Sequence, residues 1–460
     1  VSSNTSWLPE SWRGKRWAGE VAYPDSAALE RAVAKVRSMP PLVSSGEIER
    51  LKRLLGAAQR GERFLIQGGD CAETLADCRP DVITAKLKIL LQMSLVLVFA
   101  SKKPCVRIGR LAGQYAKPRS SPTETRVVDG RSLTLPSYFG DLVNRAEFTP
   151  EARRPDPDLL VEAYQSAAVT LNFIRALLDA GFGDVHHPDY WDLSFLRRAG
   201  LQGETRARYE RLLSRIGEGI RFMEALGEAE DVESLTRAEF FTSHEALVLN
   251  YESAQTRTVP RRQGYFNLTT HLPWIGERTR DLDGPHVEYA RGIRNPVGVK
   301  LGPKSRPDEV LRLVDALNPE NEAGKLVLVP RMGIANLHAA LPGLVRAVKR
   351  EGRLALWVCD PMHGNSITTG GGVKTRRFED IRAEVEQSWD IHAAEGSHLG
   401  GVHVELTGED VTECLGGAAG LREEDLARNY ASPCDPRLNY EQAMELAFAI
   451  AEKMAPQGVA

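Results

Sequence analysis

From Phe64 onward, short runs of β-branched and other apolar residues alternate with longer stretches whose apolar positions recur every three or four residues. The first pattern fits a buried strand and the second an amphipathic helix. The runs predict eight strands, over residues 64–67, 105–109, 239–243, 271–276, 297–301, 326–329, 354–359 and 402–406. The helical spacing predicts helices over 83–100, 307–317, 336–350 and 378–394, with a closing helix over 440–454. Strands alternating with helices suggest an α/β protein, a (β/α)8 TIM barrel whose reactive groups belong on the loops after the strand C-termini. A doubly wound parallel sheet is the alternative that strand counting leaves open.

Two regions exceed a barrel. Residues 1–59 hold helical stretches at 26–37 and 46–58, separated by Met39-Pro40-Pro41, and are expected to form an N-terminal helical extension to a catalytic barrel over 60–460. The stretch of about 150–238, after the second strand, is far longer than a usual strand-to-helix connection, so it is expected to carry accessory helices at 159–179 and 204–226. The longest apolar run, 89–100, is broken by Gln92 and Ser94 and is too short to cross a bilayer, which predicts a buried helix. The first fifteen residues include Pro9 and Glu10 and resemble neither a secretory signal nor a transit peptide, so a cytoplasmic protein is expected.

Composition narrows the partners. A formal net charge of −3 gives no basic excess for sequence-blind binding of nucleic acid or an anionic membrane, and neither is expected. Anionic ligands must then be met by local clusters of cations. Six cysteines without a CxxC pair resemble neither a disulfide framework nor a four-cysteine zinc site.

The unusual residues fall just after the predicted strands. The first strand leads into Gly68-Gly69-Asp70-Cys71 and the second into Arg110, Lys117 and Arg119. The fourth ends in Trp274-Ile275-Gly276-Glu277-Arg278-Thr279-Arg280, the fifth supplies Lys300, and Arg331 follows the sixth. On one barrel mouth these cations would suit phosphates and carboxylates, which guanidinium groups bind bidentately. Cys71, His363, Glu405 and Asp435 are the candidate metal set. One thiolate, one imidazole and two carboxylates fit a divalent transition ion such as Mn, Fe, Co or Zn better than Mg or Ca. Taken singly, His363 reads as a hydrogen-bonded turn residue and Cys71 as buried filler. His403 alternates with Glu405 along its strand and is placed behind the ligands. His186-His187-Pro188 reads as a loop feature, and Gly370-Gly371-Gly372, which lacks the lysine-serine pair of a phosphate loop, as a mobile connection near the mouth.

Taken together, QGGDCAET at 67–74, RLAGQYAKPRS at 110–120, WIGERTR at 274–280, DPMHGN at 360–365, HVELTGEDVTECLGG at 403–417 and CDPRLN at 434–439 resemble, in the same order, the type II 3-deoxy-D-arabino-heptulosonate 7-phosphate (DAHP) synthases. The likeness runs from about Trp17 to Met454. It implies the same barrel and a condensation of phosphoenolpyruvate with D-erythrose 4-phosphate and water that opens the shikimate pathway. It assigns the metal, Mn2+ or Co2+ ahead of Zn2+ or Fe2+, to Cys71, His363, Glu405 and Asp435. Phosphoenolpyruvate goes to Arg110, Glu277, Arg278, Lys300 and Arg331, and the aldose phosphate to Lys117, Arg119 and Ser120. Catalytic roles fall to Glu277 for the attacking water, Lys117 as proton donor and Lys300. The resemblance also implies a homo-oligomer, dimer or tetramer, and by analogy association with a chorismate mutase and inhibition by aromatic compounds. Cys434 adjoins Asp435, so a disulfide to Cys71 that expels the metal is a redox expectation. The competing readings are a synthase that takes another aldose phosphate such as arabinose 5-phosphate, a Schiff-base aldolase using Lys300, and a silent metabolite-binding regulator.

Overall fold

Each apolar run of the alternating region becomes one stave of a closed parallel barrel. The computed structural model describes residues 7–17, 19–119, 121–182 and 239–455, together with Ser214 and Glu218. The strands are β1 (Phe64–Gly69), β2 (Cys105–Arg110), β3 (Phe241–Glu245), β4 (Leu272–Ile275), β5 (Val297–Leu301), β6 (Leu326–Pro330), β7 (Leu356–Cys359) and β8 (Leu399–Glu405). They pair in chain order and β8 closes on β1, which decides for the barrel over the doubly wound sheet. The main helices are α1 (Ser26–Ser38), α2 (Ser45–Gln59), α3 (Pro80–Ser101), α4 (Leu159–Asp179), α5 (Pro307–Leu317), α6 (Leu337–Arg350), α7 (Phe378–Ala394) and α8 (Tyr440–Met454). Apart from Ser214 and Glu218, the helix expected over 204–226 lies outside the described residues, as does the His186-His187 pair.

Period-two alternation sorts side chains between the barrel interior and its helical jacket. Val402 and Val404 of β8 face outward into a cluster with Leu90 and Leu97 of α3 and Leu446 and Ile450 of α8. The opposite faces supply an interior cluster in which Leu65, Val106, Ile108, Phe241, Val327 and Val358 meet Leu51, Leu55 and Ala58 of α2. Helix α2 therefore forms the barrel floor. A capping box starts it, with Ser44 N–H donating to Glu47 Oε2 at 2.7 Å and Glu47 N–H to Ser44 Oγ at 3.2 Å. Gly324 (φ +75°) lets the chain before β6 lie against α2: a Cβ there would stand 2.1 Å from the Lys52 carbonyl oxygen.

Helix α3 outruns the apolar stretch that predicted it. At 22 residues it is long and apolar enough, by length and composition, to cross a membrane, yet 67% of its most apolar window is buried inside this fold. It packs on α8 and on β1 and β2. Three hairpins among the described residues escaped the sequence reading, Thr123–Val128 with Arg131–Pro136, Ser366–Thr368 with Lys374–Arg376 and Thr256–Thr258 with Tyr265–Asn267. Gly370-Gly371-Gly372 lie in the turn of the second, where Gly372 has φ +81°.

Because Leu97 is fully buried, Leu97→Ala is expected to cost about 2–5 kcal/mol in urea unfolding. Val169 on α4 is 58% exposed, and Val169→Ala should shift stability by no more than about 0.5 kcal/mol.

Candidate active site

Four strands end their inward faces in a charged residue at the C-terminal mouth, Arg110 on β2, Glu245 on β3, Lys300 on β5 and Glu405 on β8. On β1 and its neighbours, Gly69 is level with both Arg110 of β2 and Glu405 of β8. Gly69 carries no side chain, and Arg110 reaches across it: Nη2 donates to Glu405 Oε1 at 3.0 Å and to the Cys71 carbonyl at 3.2 Å, and Nε to the Asp70 carbonyl at 3.0 Å. The φ of +144° at Gly69, with Arg110 O 2.7 Å from where a Cβ would stand, makes glycine the residue this crossing requires. Arg110 Nη1 also donates to His403 Nε2 at 2.6 Å, which assigns His403 a neutral ring protonated on Nδ1. Burial, then the charges of Lys300 and Arg110, push His403 well below the usual imidazole range, in agreement with that tautomer.

Cys71, Glu405 and Asp435 each place a donor atom within 4.8 Å of the others, and all three are buried. His363 borders this group, its Nε2 3.0 Å from Glu405 Oε1 and 4.0 Å from Asp435 Oδ2. Asp360 aims that ring by accepting from His363 Nδ1 at 2.8 Å and from the backbone N–H groups of Met362 at 3.0 Å and His363 at 3.2 Å. Asp360 also pairs with the Lys300 ammonium. The Lys117 ammonium contacts Cys71 Sγ and Asp435, and Lys374 pairs with Asp435 from the other side. Arg376, wholly buried, lies 2.8 Å from Glu405 Oε2, and yet that oxygen takes no aligned hydrogen bond.

The charge states follow from these neighbours. Burial opposes ionisation of Glu405, but His363, Lys117, Arg376 and Arg110 hold its carboxyl well below the usual range. Asp435 is likewise lowered against its burial, chiefly by Lys117. Burial and a hydrogen bond with Cys434 push the Cys71 thiol well above its usual range, whereas that bond lowers Cys434 to about 7. Both cysteines are free thiols. Thiol, imidazole and two carboxylates at this spacing, with a buried Glu405 oxygen lacking a hydrogen-bond donor, fit a divalent ion of the borderline-soft class.

Above this group opens a cleft of about 210 Å³, lined by Arg110, Lys117, Glu277, Arg278, Lys300 and Arg331 among others. Nine of the residues expected from the sequence line it: those six together with Cys71, His363 and Asp435. Glu405 lies wholly buried among them, Arg119 does not line the cleft, and Ser120 lies outside the described residues. Both oxygens of Glu277 accept from Arg280, at 2.9 and 3.1 Å, and Oε2 also takes the Gly302 N–H at 2.6 Å. The sequence reading gave no role to Glu245, Asp360, Lys374 or Arg376. For Asp360 a signal was present, a carboxylate three residues before a histidine. For Lys374 and Arg376 it was the period-two spacing after three glycines.

A second layer of charge holds the loop that carries Asp435. Arg437 donates to Glu413 Oε2 and Oε1 at 3.1 and 2.8 Å and to Asp70 Oδ1 at 2.6 Å. Asp70 in turn pairs with Lys86 of α3 at 2.5 Å. Glu413 also takes the backbone N–H groups of Ala431, Ser432 and Arg437 at 3.1, 2.8 and 2.7 Å.

A model of the Class-II DAHP synthetase family matches residues 7–451. The chain is 47% identical over 462 residues to the phospho-2-dehydro-3-deoxyheptonate aldolase of Neurospora crassa, a match spanning 97% of this chain and 94% of that protein. It is 45% identical over 447 residues to the protein of that name in Streptomyces coelicolor, spanning 97% of each chain. It is 44% identical over 436 residues to that of Mycolicibacterium smegmatis, spanning 94% of this chain and 91% of that protein.

Glu413→Gln removes one of the two carboxylates that offset Arg437, leaving Arg437 to share Asp70 with Lys86, and is expected to destabilise the fold by about 3 kcal/mol, as breaking a buried charge network does. Amide hydrogen exchange should rise first over residues 430–437, which Glu413 holds. Unchanged protection there would show that the loop is held by something else.

Proposed function

Because the chain belongs to the class-II DAHP synthetase family, we propose that it condenses phosphoenolpyruvate with D-erythrose 4-phosphate and water, releasing DAHP and phosphate. The observation that carries this reading is the ring of cations, Arg110, Lys117, Arg278, Lys300 and Arg331, around a cleft whose inner wall is the Cys71–Glu405–Asp435 group. Both substrates are phosphate esters, and the first carries a carboxylate as well. Arg110, Arg278, Lys300 and Arg331 offset those charges and fix the orientation of the enol carbon that attacks the aldehyde. By the resemblance, the phosphate of the sugar is assigned to Lys117, Arg119 and Ser120.

Cys71, His363, Glu405 and Asp435 would hold a divalent transition ion, Mn2+ or Co2+ ahead of Zn2+ or Fe2+. Bound there, it supplies Lewis-acid polarisation of a carbonyl oxygen. The protein's own groups do the rest. With both oxygens engaged by Arg280, Glu277 is suited to hold a water in line with its target. Lys117 keeps its charge against burial, because Asp435, Cys71 and Glu405 raise it well above the usual lysine range. That charge is placed to offset an oxyanion developing on the aldehyde and to be its proton source.

Phosphate release from phosphoenolpyruvate is expected to need both erythrose 4-phosphate and a divalent ion, to stop on chelation and to return with added manganese. Release that survives chelation and is abolished by borohydride in the presence of substrate would instead establish the Schiff-base reading for Lys300. Release absent under every condition would favour a silent regulator.

Burial lowers Lys300 to about 8, although Asp360 pulls the other way. The protonated form binds anions, so phosphoenolpyruvate affinity should fall as pH rises through about 8. Lys300→Met should weaken binding at least about tenfold at pH 7, given about 1.5–3 kcal/mol for a hydrogen bond to a charged group. It should also flatten the decline around pH 8, as read by calorimetric titration.

A further inference from the structure

One carboxyl group in the cleft has no task in the scheme above. Glu245 ends β3, on the face that carries Phe241 and Ser243 into the barrel, and lines the cleft beside Trp274 and Gly276. Its Oε1 is buried without a hydrogen-bond partner. Gly276 makes this placement reachable, since a Cβ at that residue would lie 2.1 Å from Oε1. Four cations line the same cleft and act on the carboxyl group through space: Arg110 from β2, Lys117 from the loop that follows, Arg278 from the loop after β4 and Lys300 from β5. Three of them are committed elsewhere, Arg110 to Glu405, Lys117 to Asp435 and Lys300 to Asp360.

Burial raises Glu245 to about 7 even against the pull of those four charges. A phosphate or carboxylate brought into the same ring of cations adds negative charge next to Glu245 and raises it further. An ionised carboxylate there would repel such a ligand, whereas a protonated one offers it a donor.

We propose that Glu245 is a further substrate-contacting residue, whose protonated carboxyl group donates a hydrogen bond to the anion held by Arg110, Arg278 and Lys300. On the reading of function given above, on which this inference rests, that anion is phosphoenolpyruvate. The proton is taken from solvent as the ligand binds and returned when it leaves, with no bond made to carbon.

The test is calorimetric titration of the full chain with phosphoenolpyruvate at pH 7 in buffers of different ionisation enthalpy, which counts protons taken up per ligand bound. Glu245→Gln keeps the shape and an N–H donor but cannot take up a proton. A group near pH 7 is about half protonated beforehand, so the wild type should take up about half a proton more per site than Glu245→Gln. The variant should bind within about threefold of the wild type, because a neutral donor is retained. An equal proton count in the two proteins overturns the inference. Infrared difference spectra of the wild type give a reading that needs no variant. Phosphoenolpyruvate should increase the protonated-carboxyl stretch, and a decrease overturns the inference. A wild type that does not bind phosphoenolpyruvate at all removes the functional reading and this inference with it.

Discussion

A single buried charge organises the mouth of the barrel. The Glu405 carboxylate is wholly removed from solvent, and an uncompensated charge in such a place would cost several kcal/mol. Its compensation comes from across the fold: Arg110 from β2, His363 from the loop after β7, Arg376 from the hairpin beyond it and Lys117 from the loop after β2. Each partner is itself aimed by a further contact, Arg110 by the Asp70 and Cys71 carbonyls and His363 by Asp360. The loops that carry the chemistry are thus fixed by the need to neutralise one side chain. The fold spends stability there to hold an anionic group open on one side, as a preorganised site requires.

The layer beneath explains how Asp435 joins a group whose other members are distant in sequence. Asp435 lies on an irregular segment between β8 and α8, where no ladder of backbone bonds positions it. Glu413 substitutes for such a ladder by collecting three backbone N–H groups of that segment, and Arg437 ties it through Asp70 to Lys86 on α3. Helix α3 is otherwise packed by apolar side chains against β1, β2 and α8. Its one buried lysine gives Asp70 a rigid counter-charge that a solvent-facing loop could not provide.

The barrel was legible because parallel strands buried on both faces must be continuously apolar, and each predicted run overlaps an observed strand. Strand ends were less sharp, since β3 runs to Glu245 and β8 starts at Leu399, two positions where polar residues or glycines interrupt the apolar pattern. The cations could be gathered onto one mouth from strand order, whereas Cys71, His363, Glu405 and Asp435 are widely separated in sequence and their assignment as one set rested on the family resemblance. What could not be read was any role set by a neighbour rather than by a residue's own type. Arg376 looks like one more surface arginine until the hairpin turn at Gly370-Gly371-Gly372 folds it inward to full burial. Gly69 looks like flexibility, whereas its work is to leave room between Arg110 and Glu405.

Glu245 and Glu405 show how far environment outweighs identity. Both end barrel strands on the inward face, both are glutamates, and cations surround each. Glu405 is hydrogen-bonded by Arg110 and lies in ion-pair range of Arg376, so local interactions outweigh the cost of burial and it stays ionised. Glu245 feels its cations only at a distance, because three of them already have carboxylate partners, and burial wins. The same side chain is thereby an obligate acceptor at one point of the rim and, near neutral pH, a donor at another. The arrangement divides the mouth into a side that suits a cation and a side that suits an anion, which is the polarity that the proposed joining of a phosphorylated enol to a phosphorylated aldehyde demands.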